Sequence, residues 1–300
     1  MRALLAGPRG LPHLSDVAEP EPGPGEVLVE VQCAGLSQEN NSGAILGAQG
    51  TGRIIADPDS AFPEGTLVAW AAVPGACAQR VCVPRHRIVA GPQGIAPEVA
   101  ATMLLPAMMA HVLLHSLHPI EAGSTVLINP ADDPVGLLSA QWAHALGARV
   151  IAVSPSGEVT PHLEGTTVVK RAHVAPRRAA ETEGIDLALH GAGKPGLEHA
   201  ISSLRRRGML CLYGNPEQPV KRLSPTDLAA QGSLSLACPV LEDYLEEPDG
   251  FRTRSQAVTQ AIAEEILTIP LNEVVSPEEA VERWDLLSAE MKTGLVAVRF

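Results

Sequence analysis

Residues 125–147 read TVLINPADDPVGLLSAQWAHALG, and residues 148–154 follow at once as ARVIAVS. Thr125 to Asn129 is a short β-branched and apolar run that reads as a buried strand, while Leu138, Trp142, Ala145 and Leu146 recur at helical spacing. Strand, tight loop, helix and second strand make a βαβ unit. Its first loop belongs at the carboxyl end of a parallel sheet, where a helix N-terminus attracts the diphosphate of a dinucleotide. Here the loop is Ala131-Asp132-Asp133-Pro134-Val135-Gly136, with a single glycine.

Downstream, strand and helix keep alternating: strands at 149–154, 166–169 and 185–190, a helix at 197–204, then strands at 209–213 and 233–238. That order predicts a parallel sheet covered on both faces. Upstream the pattern is different. The alternating strand Glu26-Val27-Leu28-Val29-Glu30-Val31-Gln32 and short candidates at 50–55, 66–71 and 78–83 have no helices between them, which predicts an antiparallel, barrel-like module. From Pro97 to about His118 the chain is apolar all round and reads as a buried helix, kinked or divided at Pro106, at a hinge between domains. His111, His115 and His118 fall along it as packing or surface residues. A long helix is expected over 253–267. Ser276-Pro277-Glu278-Glu279 is a capping box with proline at the first helical position, so a helix to about Met291 follows, and 294–300 reads as a strand returning to the first module.

Composition narrows the function classes. A formal charge of −12 over 300 residues argues against nucleic acid and anionic membrane as partners, since both need a basic footprint. The five cysteines (Cys33, Cys77, Cys82, Cys211, Cys238) lack CxxC spacing and read as small core residues of a reduced, cytoplasmic protein. Neither a signal peptide nor a membrane span is read. The partner expected is a small-molecule substrate.

These landmarks together resemble the medium-chain dehydrogenase/reductase superfamily, in its zinc-free quinone oxidoreductase and enoyl reductase branch. The resemblance runs from end to end. It is carried by PEPGPGEVLVEV at 20–31, Thr125 to Asn129 with Val135-Gly136-Leu137-Leu138, Ala148-Arg149-Val150-Ile151, Gly184-Ile185-Asp186, Leu212-Tyr213-Gly214-Asn215, Gly232-Ser233-Leu234 and Lys292-Thr293-Gly294. It implies an α/β chain with a GroES-like, partly open β-barrel domain (1–118 with 268–300) and a Rossmann doubly wound parallel-sheet domain (119–267). It also implies NADPH in the interdomain cleft, hydride transfer to a quinone, enone or enoyl thioester, and a homodimer. Where zinc-dependent relatives place a cysteine and a His-Glu pair, this chain has Ser37 and Ala48-Gln49, which cannot supply thiolate and imidazole to a catalytic zinc, so no metal is expected.

The resemblance also names candidate site residues. For the cofactor these are Asp133, Pro134, Val135 and Gly136 in the βα loop, Ser154 and Ser156 after the second strand, Arg171 for a 2′-phosphate, and Gly214 with Asn215 at the nicotinamide end. The second strand ends without the acidic residue that an NAD ribose calls for. For catalysis the polar candidates are Ser37, Glu39 and Asn40, in a segment shortened against the family, and His190 at a strand end as acid or base. Tyr213 and Asn215 also end a sheet strand.

The loop leaves two readings open. Pro134 has no N–H to offer a diphosphate, and Asp132 and Asp133 would repel one, yet Asp133 can equally cap the helix with Pro134 at its first position. One function is therefore an NADPH-dependent reductase. Another is a non-redox cyclase, isomerase or lyase of specialised metabolism that has lost the dinucleotide and works with Glu39, Asp133 or His190. A third is a catalytically silent partner, paired through the 233–238 strand edge.

Overall fold

A computed structural model describes the chain except for residues 38–41, 92–93, 155–156, 158–159, 180, 182 and 248. It divides into two compact units, one of Met1–Pro106, Glu246–Ala263 and Ile269–Phe300, the other of Ala107–Leu245 and Glu264–Thr268. Relative to the sequence-based borders, residues 107–118 belong with the second unit and residues 246–263 with the first.

The first unit opens with the antiparallel hairpin β1 (Arg2–Ala6) and β2 (Pro12–Asp16). Then come β3 (Glu26–Gly35), β4 (Gln49–Ala56), β5 (Leu67–Ala71), β6 (Arg80–Pro84) and β7 (Ile88–Ala90), all antiparallel to the strands they pair with. Alternation along β3 puts Val27, Val29 and Val31 into a core with Ile54, Val68 and Trp70. Gly50 makes room for that tryptophan, since an added Cβ would stand 2.5 Å from its ring.

Helix α1 (Pro97–His111) runs unbroken through Pro106 and continues as a wider π-type turn over Val112–Leu117. The expected division at Pro106 is absent because a side chain repairs the gap. Proline cannot donate to the Thr102 carbonyl, and the buried Gln49 does so instead, its Nε2 3.1 Å from that oxygen. The Oε1 of Gln49 accepts from the Leu105 N–H at 3.0 Å. Gln49→Leu would strand a carbonyl and an amide together, and we expect it to cost about 2–4 kcal/mol in urea unfolding. A variant as stable as the wild type would contradict this account of the helix. The 97–117 helix is long and apolar enough to cross a membrane by length and composition, which the sequence reading did not register, but 67% of its most apolar window is buried within the protein.

The second unit holds β8 (Thr125–Asn129), α2 (Pro134–Ala145), β9 (Arg149–Val153), β10 (Thr167–Val169), α3 (Ala175–Ala179), β11 (Ile185–His190), α4 (Leu197–Ser203), β12 (Leu204–Leu212), α5 (Pro225–Ala230), β13 (Ser235–Ala237) and α6 (Leu241–Leu245). Among the described residues its sheet is parallel throughout, in the order β10-β9-β8-β11-β12-β13. Every residue of β8 is buried, as a central strand covered on both faces requires. Strand β12 begins earlier than its apolar pattern indicated, because Arg205, Arg206 and Arg207 precede the hydrophobic run and the pairing to β11 is irregular there. Of the two edge strands, β10 and β13, the latter carries Leu236, which is 42% exposed.

The chain then returns to the first unit through α7 (Gly250–Ala263), whose Phe251 ring lies 5.8 Å beneath the Arg87 guanidinium. β14 (Leu271–Val275), α8 (Pro277–Glu282), α9 (Trp284–Glu290) and β15 (Leu295–Arg299) follow. β15 pairs antiparallel with β3, completing a mixed sheet of order β14-β15-β3-β4-β5-β7 with β6 also on β3. The capping box at Ser276 forms as expected. The expected helix to Met291 is instead split at Arg283 (φ −110°, ψ 18°), whose guanidinium bonds Glu273 of β14 at 2.6 and 2.8 Å.

Candidate active site

Strand register gathers the site at the carboxyl edge of the second unit's sheet. Asn129 pairs with His190 and His190 with Leu212, so the loops leaving β8, β11 and β12 start side by side. The first loop is held on β9 by the Ala131 amide, which donates to the Val153 carbonyl at 2.8 Å. Asp133 then caps α2: its Oδ1 accepts from the Gly136 N–H at 2.9 Å, and Pro134 takes the first helical position. The Val135 amide also donates to this carboxylate. The helix's opening amides are thus turned onto the chain's own carboxylate.

The other carboxylate oxygen, Oδ2, accepts from the Tyr213 hydroxyl at 3.0 Å, and that hydroxyl also approaches the Pro130 carbonyl at 3.3 Å. Two glycines allow the arrangement. A Cβ on Gly191 would meet the Tyr213 ring at 2.8 Å, and a Cβ on Gly136 would stand 2.3 Å from the Pro130 oxygen. Burial pushes the Asp133 carboxyl up to about 6, ahead of the lowering effect of its three donors. Burial and the neighbouring carboxylate push the Tyr213 phenol well above its usual range, which keeps it a donor. Asp132 is likewise raised by burial, with the Ser154 hydroxyl holding it back. Tyr213→Phe removes one of the donors that lower Asp133, so its carboxyl should titrate above about 6, as carboxyl-carbon NMR would report.

His190 is 1% exposed and has both ring nitrogens engaged. A carbonyl can only accept, so Nε2 donates to Gly193 O at 2.7 Å and Nδ1 accepts from the Asn129 amide at 3.2 Å. Burial holds this imidazole below the ordinary histidine value.

A family model described as zinc-binding dehydrogenase matches residues 134–242. The chain is 28% identical to a quinone oxidoreductase of Pseudomonas aeruginosa, covering 97% of this chain and 96% of that protein. It is 26% identical to a 2-haloacrylate reductase of a Burkholderia species, over 89% and 79% of the two. A mycobacterial protein solved in complex with NADPH superposes on it over all of both chains, with 28% identity and a TM-score of 0.90. These matches support placing the chain in the medium-chain dehydrogenase/reductase superfamily, in its quinone oxidoreductase and enoyl reductase branch.

The site residues named from sequence are distributed unevenly over the two units. Asp133, Pro134, Val135 and Gly136 form the α2 turn, Ser154 is buried beside Asp132, and Gly214 (φ 74°) and Asn215 are exposed just beyond Tyr213. Arg171 is exposed after β10. Ser37 follows β3 in the first unit, while Glu39, Asn40 and Ser156 lie outside the described residues. Two features escaped the sequence reading. One is the Tyr213 bond to Asp133, which spans 80 positions. The other is Lys170, whose stem lies across Gly157 so closely that a Cβ there would fall 2.2 Å from it. A cation directly after the third strand was the available signal. Gln49, at a place where zinc-dependent relatives carry a His-Glu pair, is committed to the backbone of α1. Among the described residues no group of three or more His, Cys, Asp or Glu is placed to hold a metal.

Proposed function

We propose that this chain is an NADPH-dependent, zinc-independent reductase of a quinone, an enone or an enoyl thioester. The observation that carries the reading is its full-length match, at 28% identity, to a mycobacterial protein solved with NADPH. When bound, that cofactor supplies the hydride from its nicotinamide ring. Gly214 and Asn215 would hold the nicotinamide end, and Lys170 with Arg171 would pair a 2′-phosphate. Ser37, with Glu39 and Asn40, would orient the substrate and pass it a proton. His190, with both nitrogens occupied, is better suited to holding Asn129 and the 191–193 turn in place than to acid–base work. The test is steady-state consumption of NADPH with a panel of quinones, enones and enoyl thioesters. Turnover with NADPH and much less with NADH is expected, and no turnover with any acceptor would defeat the reading.

One observation favours a second reading, a non-redox descendant: the Asp133 carboxylate already takes the α2 amides that would meet a diphosphate. A carboxyl at about 6 is suited to proton transfer near neutral pH. Stoichiometric NADPH in the purified protein would rule this out.

We also propose that two copies pair through the edge strand β13, burying Leu236 and the 53% exposed Val240. Sedimentation should report a dimer and, for Leu236→Lys, a monomer. A wild-type monomer would refute the pairing.

A further inference from the structure

All five cysteines are expected from sequence to be core residues, and the fold departs from that most at Cys238. Cys33, Cys77 and Cys211 are buried and Cys82 is half-buried, but Cys238 is exposed. Of the five, only Cys211 and Cys238 belong to the second unit. Cys211 ends the parallel ladder between β12 and β13, where it pairs with Ala237, and Cys238 is the next residue along. Strands about 4.8 Å apart with a rise of about 3.3 Å per residue put the two Cα atoms roughly 6 Å apart. Disulfide-bonded cysteines have Cα separations of roughly 4.4–6.8 Å. Alternation along a strand would turn Cys238 to the face opposite Cys211, but β13 ends at Ala237 and the constraint ends with it. The electrostatics agree with the spacing: burial, and after it the Cys238 sulfur, push the Cys211 thiol up to about 12.

The two thiols differ in what can reach them. Cys238 is open to solvent and meets a dissolved oxidant. Cys211, 0% exposed and held protonated by burial, does not. One exposed thiol with one sheltered neighbour is the arrangement of an attacking and a resolving cysteine. In a reducing compartment, a disulfide of this kind is transient.

We propose that Cys238 and Cys211 form a reversible redox site, closed by hydrogen peroxide into an intrachain disulfide. The Cys238 sulfur attacks one peroxide oxygen, so that an S–O bond forms as the O–O bond breaks, giving a sulfenic acid and one water. The Cys211 sulfur then attacks the sulfenic sulfur. An S–S bond forms as the S–O bond breaks, and the Cys211 proton leaves with the hydroxyl as a second water. The two thiols together lose two electrons, and the peroxide gains them. The bond staples the edge strand β13 to β12, two residues before the Tyr213 whose hydroxyl holds Asp133. It does not depend on the reductase reading.

Peroxide treatment of the reduced full chain tests the site, read by intact mass and by a tryptic map without reductant. Lys221 and Arg222 lie between the two cysteines, so the bond joins separate peptides, 208–221 and 223–252. The chain should lose the mass of two hydrogens, the two peptides should appear joined, and dithiothreitol should part them. Cys238→Ser should keep the Cys211 thiol through the same treatment. In Cys211→Ala, Cys238 should stop at the sulfenic acid and be trapped by dimedone. The wild-type map and the surface variant Cys238→Ser decide the matter even if the buried variant does not fold. A wild type that gains oxygen at Cys238 and keeps the Cys211 thiol would overturn the proposal. So would a Cys238–Cys238 link between two chains in place of the intrachain bond.

Discussion

Asp133→Asn is expected to tighten NADP⁺ binding by at least about fivefold and by up to roughly several hundredfold. The range follows from removing one carboxylate charge near a diphosphate, worth about 1 kcal/mol if water-screened and about 4 at an effective dielectric near 20. Asparagine keeps the acceptor oxygen for the Gly136 amide and remains a good helix cap, so the change isolates charge from geometry. The effect must also depend on pH in one direction. The Asp133 carboxyl titrates at about 6 without ligand, so it is charged and repulsive above that value and neutral below it. The ratio of variant to wild-type affinity should be largest near about pH 8 and shrink toward unity near about pH 5. The cofactor's own phosphate titrates alike in both and cancels from the ratio. Equal affinities across that range would mean that the carboxylate swings clear of the ligand or that no diphosphate binds at this turn.

The second large effect is on folding. In Gly136→Ala the new methyl would sit 2.3 Å from the Pro130 oxygen and 3.1 Å from Ala131 Cα, both backbone atoms held by the β8–α2 connection. Such overpacking should cost about 3 kcal/mol, or roughly 6–12 °C in Tm. Gly214→Ala is the control: a Cβ there meets nothing within 4 Å, and its φ of 74° makes the expected cost only about 1 kcal/mol. If the two variants melted together, the close approach at Gly136 would not be a determinant of the turn.

Local rules carried the sequence reading a long way. The βαβ unit around Thr125–Gly147, the Asp133-Pro134 cap and the Ser276 capping box each depend on residues within a few positions of one another, and all three form. What local rules missed was supplied from a distance. Pro106 reads as a helix breaker because nothing nearby replaces its N–H; the replacement is Gln49, 53 positions from the Thr102 carbonyl it serves. Asp133 reads as a cap or as a repulsive charge, and the phenol that fixes it comes from Tyr213. His190 reads as a free acid or base until Gly193 and Asn129 are seen to occupy both nitrogens. Lys170 becomes a cofactor candidate only when its stem is seen lying over Gly157. The resemblance pointed to the fold, while the βα loop named for the cofactor departs from the motif it implies, with Asp133 and Pro134 where the resemblance implies glycines.

The reductase account is tested most directly by fluorescence titration of NADPH with the wild-type protein at neutral pH. It predicts saturable binding of one NADPH per chain, weakened but not abolished by the acidic turn. A flat titration up to about millimolar cofactor would contradict it.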